Sequence, residues 1–200
     1  PSLYSSKPSK VIWHGRNFEI TERPQKQVFK QFLFVGSRSG YKNFKSAANA
    51  FCEVAKNHSS VKLLIAGAPP LPSECKILHD CKTQVEWIKL PSTIQLRELY
   101  QSSLALLYTS NYEGFGMPLV EAMSLGCIAI AGNHSSIPEV LGQGGITVDQ
   151  NSPKKIAKVM RKCLADQAYN KAIISNGYKR AKLFNWKVSA TSTFEFYQNL

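Results

Sequence analysis

Along this chain, short runs of consecutive apolar residues alternate with longer segments whose apolar positions recur every three or four residues. The first kind comprises QFLFVGS (31–37), VKLLIAG (61–67), VEWIK (85–89), LALLYTS (104–110) and CIAIAG (127–132), each of strand length and several almost unbroken. A strand covered on both faces requires such continuity, because both of its alternating side-chain rows leave water. The second kind is clearest from 43 to 57, where Phe44, Ala47, Ala48, Phe51, Val54 and Ala55 share one helical face and Asn43 is available as N-cap. Ser92 caps a second helix over 93–102 carrying Leu96, Leu99 and Tyr100, and Ser152 followed by Pro153 opens a third over 154–164. The helical segments YNKAIISNGYKRAKLF and WKVSATSTFEFYQNL follow it.

Strand, helix, strand repeated in this way predicts an α/β fold: a Rossmann-like parallel sheet flanked by helices, with right-handed crossovers. Ligands then gather at the carboxyl ends of the strands. The segments leaving those ends, GSRSGYKN, GAPPLP, KLPST, TSNYEGFGMP and AGNHSSIPEV, are rich in Gly, Ser and Pro, as loops must be where backbone approaches a ligand.

With 200 residues, 44% of them hydrophobic, the chain can bury one domain-sized core. No apolar stretch approaches the roughly 18 residues of a membrane span, and no signal segment opens the sequence. A chain that starts on Pro1 rather than Met is expected to be a piece of a longer protein. Cys52, Cys75, Cys81, Cys127 and Cys163 form no CxxC pair, and His14, His58, His79 and His134 are scattered, so reduced thiols and no metal site are expected. The net charge of +12 is unevenly spread. No Lys or Arg lies between Glu98 and Pro153, whereas Lys154, Lys155, Lys158, Arg161, Lys162, Lys171, Lys179, Arg180, Lys182 and Lys187 face only Asp166 in their stretch. Such a surface suits an anionic membrane, an acidic partner or nucleic acid, or is simply a solvated helical face.

The most specific stretch is EGFGMPLVEAM, 113–123. Pro118 fits the first turn of a helix starting at Met117 or Pro118. The unpaired N–H groups there, with those of Phe115 and Gly116, form a donor surface at the positive end of the helix dipole, and Gly114 and Gly116 let that backbone come close to an anion or to hydroxyls. Glu113 before the bend and Glu121 after the first turn can face one crevice from different heights.

On these residues the chain resembles the C-terminal domain of the retaining glycosyltransferases of family 4, whose GT-B fold pairs two Rossmann-like halves. EGFGMPLVEAMSLG, 113–126, matches that family's signature of two glutamates separated by seven residues almost letter for letter. VIWHG (11–15) resembles the segment arriving from the interdomain linker, and FVGSRSGYKNF (34–44) the phosphate-binding first strand and loop. SSIPEVLGQGGITVD (135–149) resembles the segment that follows the signature, and FNWKVSATSTFEFY (184–197) the last helix, which crosses back to the other half. The implied division is a linker end over 1–24, the donor-binding domain over 25–185 and the crossover helix over 186–200, with the N-terminal acceptor-binding domain absent.

The resemblance implies roles. Glu113 hydrogen-bonds hydroxyls of the donor sugar, and Glu121 takes the ribose diol, for which a carboxylate is a suitable bidentate acceptor. Amides around Gly116 and Met117 contact sugar or phosphate, within a donor surface that also includes Gly36, Gly114, Phe115, Pro118 and Leu119. Arg38 and Lys42 neutralise the diphosphate leaving group, in place of a metal, for which the chain has no Asp-x-Asp pair. Many members carry the Arg one position earlier, where this chain has Ser37. Backbone at Ile88, Lys89 and Leu90 reads the base.

The implied enzyme is a retaining hexosyltransferase of polysaccharide biosynthesis, cytoplasmic or peripheral on the inner membrane face. It needs no cofactor, and the isolated piece is inactive. The GSRSGYKN loop resembles that of enzymes making mannose-containing polysaccharides, so GDP-mannose is the first donor expected and a UDP-hexose the second. Its partners are the nucleotide sugar, the missing domain and an anionic membrane surface, with no nucleic acid. The competing reading, a basic nucleic-acid-binding or scaffolding Rossmann module, rests on net charge alone, and the 113–126 motif argues against a GT-B epimerase or phosphorylase.

Overall fold

The structure, a computed structural model, describes residues 9–23, 29–38 and 40–199. The part of the linker segment over 1–8, its end at residue 24 and the domain start at 25–28 lie outside the described residues, as does Leu200. Six parallel strands, β1 (Gln31–Val35), β2 (Lys62–Gly67), β3 (Val85–Lys89), β4 (Ala105–Tyr108), β5 (Ile128–Gly132) and β6 (Ile146–Val148), form one sheet in the order β3-β2-β1-β4-β5-β6. The five strands expected from apolar runs are present, each up to two residues shorter at its ends. The sixth was not legible: its three residues have only Val148 buried, too short and too exposed to give a periodic signal.

The helices are α1 (Phe44–Ala55), α2 (Pro72–Ile77), α3 (Thr93–Ser102), α4 (Met117–Ser124), α5 (Ile137–Leu141), α6 (Pro153–Ala165), α7 (Gln167–Ala181) and α8 (Trp186–Gln198). Ser92 and Ser152 cap α3 and α6 through their side chains, as expected. Asn43 sits at the N-cap of α1 but in the left-handed conformation, and its side chain instead donates to the Gln150 carbonyl (2.9 Å) and to Asn151 (3.1 Å). It ties the start of α1 to the β6–α6 connection and leaves the cap to the backbone.

Alternation along each strand divides the core into two layers. Phe32, Phe34, Leu63, Ile65, Leu107 and Ile130 pack with α1 and α6 on one face, whereas Leu33, Leu64, Leu106 and Ala129 pack with α3, α4 and α5 on the other. α7 serves both, with Ile173 and Ile174 against the first cluster and Ala181 in the second.

The lead-in segment before β1 is strapped to the second layer. The Thr21 amide donates to Ser124 (3.0 Å), and the Tyr178 hydroxyl donates to the Thr21 carbonyl (3.2 Å) while accepting from the Arg23 amide (3.1 Å). The Arg23 guanidinium donates to the carbonyls of Tyr100, Ser103 and Leu125, closing the C-terminal ends of α3 and α4, and burial lowers its pKa.

All five cysteines are free, with Cys75 exposed and Cys81, Cys127 and Cys163 buried. Burial pushes Cys127 up to about 11 and Cys163 up to about 12. A thiol whose pKa is raised by folding stabilises the fold below the ordinary thiol range, and that stability is lost as pH rises through the folded value. Thermal stability is therefore expected to fall between pH 9 and 11, each thiol costing up to about 1.4 kcal/mol per pH unit, and Cys127→Ala should flatten the fall. A melting temperature constant from pH 8 to 11 would contradict this.

Candidate active site

The strand order reverses direction between β1 and β4, and both strands deliver loops at their carboxyl ends on either side of that point. Three hydrogen bonds stitch these loops together. The Thr109 hydroxyl donates to the carbonyls of Lys42 (3.2 Å) and Asn43 (2.9 Å), and the Asn111 amide donates to Tyr41 (2.7 Å). The 3-10 turn over Gly40–Lys42 is thereby held against the loop leading to α4. Across the seam the Lys42 ammonium pairs with the Glu113 carboxylate at 2.6 Å, both side chains largely buried.

The bend after Glu113 is as the sequence predicts. Gly116, φ 100°, is the left-handed N-cap of α4, which starts at Met117 with Pro118 in its first turn. A Cβ at Gly116 would lie 3.1 Å from Leu119, whereas one at Gly114 or at Gly36 (φ 101°) would meet nothing within 4 Å. These two glycines border open space beside the seam, where a side chain would intrude on a ligand. The amides of Phe115, Gly116 and Met117 make no hydrogen bond among the described residues. The Glu113 carbonyl accepts from Ser135 (2.6 Å) and Ser136 (2.8 Å), so the loop after β5 fixes the bend from behind.

Glu121, 7% exposed, lies in the first turns of α4 and is held at both oxygens: Asn17 donates to one and the Tyr100 hydroxyl to the other, each at 2.9 Å. Burial, and after it the Glu121 charge, hold the Tyr100 hydroxyl well above the usual phenol range, so it remains a donor. Tyr108, at the end of β4, lies within electrostatic reach of Tyr100 and of Glu113. Glu121 thus lies on the α3/α4 side of the sheet, while Glu113 stands at the seam with Lys42.

Other expected site residues are placed differently. Arg38 is not beside Glu113. Its Nε donates to Glu74 (2.8 Å) and an Nη to the Pro69 carbonyl (2.7 Å), and its guanidinium lies over the rings of Trp87 (5.2 Å) and Phe44 (5.8 Å). Leaving β1 one residue after Ser37, it turns toward the first core layer, with one guanidinium nitrogen, Nη1, buried and unpartnered. Leu119 is fully buried, its amide bonded to the Gly116 carbonyl (2.9 Å), so it shapes the bend from inside. Phe115 packs edge-on against His14 (4.9 Å) and Phe184 (5.7 Å), anchoring the bend to the lead-in segment. At the end of β3, Ile88 and Lys89 pair with Ala66 and Gly67, while Leu90, φ 45°, is exposed and donates its amide to Gly67 (3.2 Å). Sequence reasoning missed Asn17, Tyr100 and Glu74 as site neighbours, since each lies 21 or more positions from the group it touches, and it read Tyr108 only as part of a strand. The Ser135–Ser136 pair was visible in its motif without its purpose.

Among the described residues no group of three His, Cys, Asp or Glu side chains could hold a metal ion. The arrangement offers a paired cation, free amides at a helix start and two oriented carboxylates, groups of the kind that can hold anions and hydroxyls.

The family model described as Glycosyl transferases group 1 matches residues 16–180. The Escherichia coli O-antigen chain mannosyltransferase B is 33% identical over 121 residues, covering 59% of this chain and 32% of that protein. The solved structure of WaaG, a glycosyltransferase involved in lipopolysaccharide biosynthesis, superposes with a TM-score of 0.77 at 16% identity, over 92% of this chain and 55% of that one. Anabaena Alr3699/HepE in complex with UDP gives 0.75 at 18% identity, over 86% and 50%. The chain spans about a third of the mannosyltransferase and about half of each of these solved chains.

The Arg38–Glu74 pair, with side chains 4% and 7% exposed, ties the loop after β1 to α2. Arg38→Met is expected to cost about 3 kcal/mol in urea unfolding because Glu74 stays buried without its cation, and adding Glu74→Met should recover more than half of it. Equal losses in the single and double variants would refute the pairing as the cause.

Proposed function

The chain belongs to the group 1 glycosyl transferases, with the fold of a GT-B C-terminal domain, and from that premise we propose that it is the donor-binding half of a retaining hexosyltransferase. The full-length enzyme moves a hexose, mannose in the first instance, from a nucleoside-diphosphate sugar to a glycan or lipid-linked acceptor in polysaccharide biosynthesis. The observation that carries this reading is the Lys42–Glu113 pair set beside the unpaired amides of Phe115, Gly116 and Met117. A cation and amide donors suit a diphosphate, and the adjoining carboxylate suits sugar hydroxyls. The name of the mannosyltransferase relative supports mannose, while the UDP held by one structural neighbour keeps a UDP-hexose as the second candidate.

In this reading Glu121, oriented by Asn17 and Tyr100, receives the ribose diol, and backbone at Ile88 and Lys89 borders the base. Lys42 and the α4 amides take up charge as it grows on the departing phosphate, stabilising an oxocarbenium-like transition state. Arg38, its side chain 4% exposed and held by Glu74 and Pro69, supports the loop after β1 and leaves the phosphates to Lys42 and the amides. Acceptor groups belong to an N-terminal domain of the same protein, over which α8 crosses; Trp186, Val188, Phe194 and Tyr197 of that helix are exposed here.

Of the basic residues after 153, Arg161 pairs with Glu53, Lys155 with Asp149, and Arg180 is bonded to the carbonyls of Glu139 and Val140. Lys154, Lys158, Lys171, Lys179, Lys182 and Lys187 stay exposed and support peripheral contact with anionic lipid, at about 1 kcal/mol per cation near the surface. No helix among the described residues is long and apolar enough to cross a membrane.

Titrating GDP, UDP and ADP into the chain is expected to show weak binding with GDP tightest, and no sugar transfer without the missing half. Glu121→Ala or Lys42→Met should weaken binding by about 10-fold or more, the loss of one charged hydrogen bond. Preference for ADP, unchanged affinity in both variants, or turnover by the chain alone would each count against the reading. Co-sedimentation with liposomes should rise with their anionic lipid content; indifference to it would remove the membrane from the scheme.

A further inference from the structure

Tyr108 is 3% exposed, and its hydroxyl makes no hydrogen bond, although a buried tyrosine hydroxyl almost always finds a partner. Its surroundings account for this. Its ring, with that of Tyr41, flanks the Lys42 ammonium, which lies 5.4 Å from the centre of Tyr108 and 5.2 Å from that of Tyr41. On a further side the ring lies under the bend, its Cε1 3.7 Å from where a Cβ on Gly116 would stand. The ammonium beside this ring already holds the Glu113 carboxylate at 2.6 Å, which puts that carboxylate, together with the Ser110 side chain, in the hydroxyl's surroundings. Burial, and then the Glu113 charge, raise the hydroxyl's pKa, so it stays protonated and able to donate.

A buried carboxylate with one cationic partner poses a difficulty for any anionic ligand. A phosphate that draws Lys42 toward itself strips Glu113 of its counter-charge in a poorly solvated place, and the isolated carboxylate opposes binding. A neutral donor already in position removes most of that cost without adding charge of its own.

We propose that Tyr108 is a positioning residue for the donor: its hydroxyl is held in reserve for Glu113 and takes that carboxylate when a diphosphate draws the Lys42 ammonium away. The exchange keeps Glu113 oriented toward sugar hydroxyls while Lys42 serves the phosphates. This deepens the donor-binding reading and rests on it. In the free chain the hydroxyl contributes nothing, so its removal should leave the unliganded fold as stable as before.

The test measures dissociation constants for GDP-mannose and UDP-glucose, the two probes, by calorimetry on the chain and on Tyr108→Phe, Glu113→Gln and the double variant. Tyr108→Phe is expected to weaken the better probe by about 5- to 20-fold, as for one hydrogen bond to a charged group, with no loss in melting temperature. In the Glu113→Gln background the same change should alter affinity by less than about 2-fold, because the group it serves has gone. Wild-type affinity in Tyr108→Phe would overturn the inference while leaving the donor-binding reading intact. An equal loss in both backgrounds would overturn it too, placing the hydroxyl on the ligand or in packing. If the unaltered chain binds neither probe, the reading and the inference fall together.

Discussion

The seam between the first and fourth strands is the constraint on which the site depends. All six strands run in one direction, so their loops emerge at one edge, and the order reverses where β1 lies beside β4. Connections leaving such a reversal run to opposite sides of the sheet, which is where open parallel sheets form a crevice. The hydrogen bonds from Thr109 and Asn111 to the carbonyls of Tyr41, Lys42 and Asn43 hold the two loops together there. They hold a cation from one loop against a carboxylate from the next, and the bend at Gly116 then brings the start of α4 to the same place.

Charge at the carboxyl ends of the strands is arranged in closed pairs. Lys42 with Glu113 and Arg38 with Glu74 each bury a cation with an anion, while Glu121 has neutral donors at both oxygens. Burying charges in this way adds little stability by itself, because the desolvation penalty offsets most of the attraction. It keeps each side chain in one orientation. Glu121 has a neutral donor at each oxygen, whereas Glu113 is paired with a cation, so the two acids of the motif stand in different electrostatic surroundings.

The lead-in segment does more than arrive. Its Arg23 closes the ends of α3 and α4, Asn17 orients Glu121, and His14 lies against Phe115 on one side and Trp186 of α8 on the other (5.6 Å). The stretch before β1 therefore touches both the site and the last helix, so a displacement of α8 would be felt at the bend through two ring contacts.

Residues near one another in sequence could be read directly. The Gly-Phe-Gly-Met-Pro bend, the start of α4 at Met117, the Ser92 and Ser152 caps and five of the strands follow from local sterics, periodicity and capping, which act over a few residues and leave their mark there. The partners of each charge did not. Arg38 meets Glu74 from 36 positions away and Glu121 meets Asn17 from 104, and nothing in the local pattern favours those acids over others. Even Asn43, at the position foreseen, spends its side chain on the β6–α6 connection and not on its own helix. The chain by itself determined which backbone could bend, which faces would leave water and which residues carried charge. Only the packed sheet decided which charges would meet, because ion pairing depends on through-space distances that are set once both layers of helices have closed on the strands.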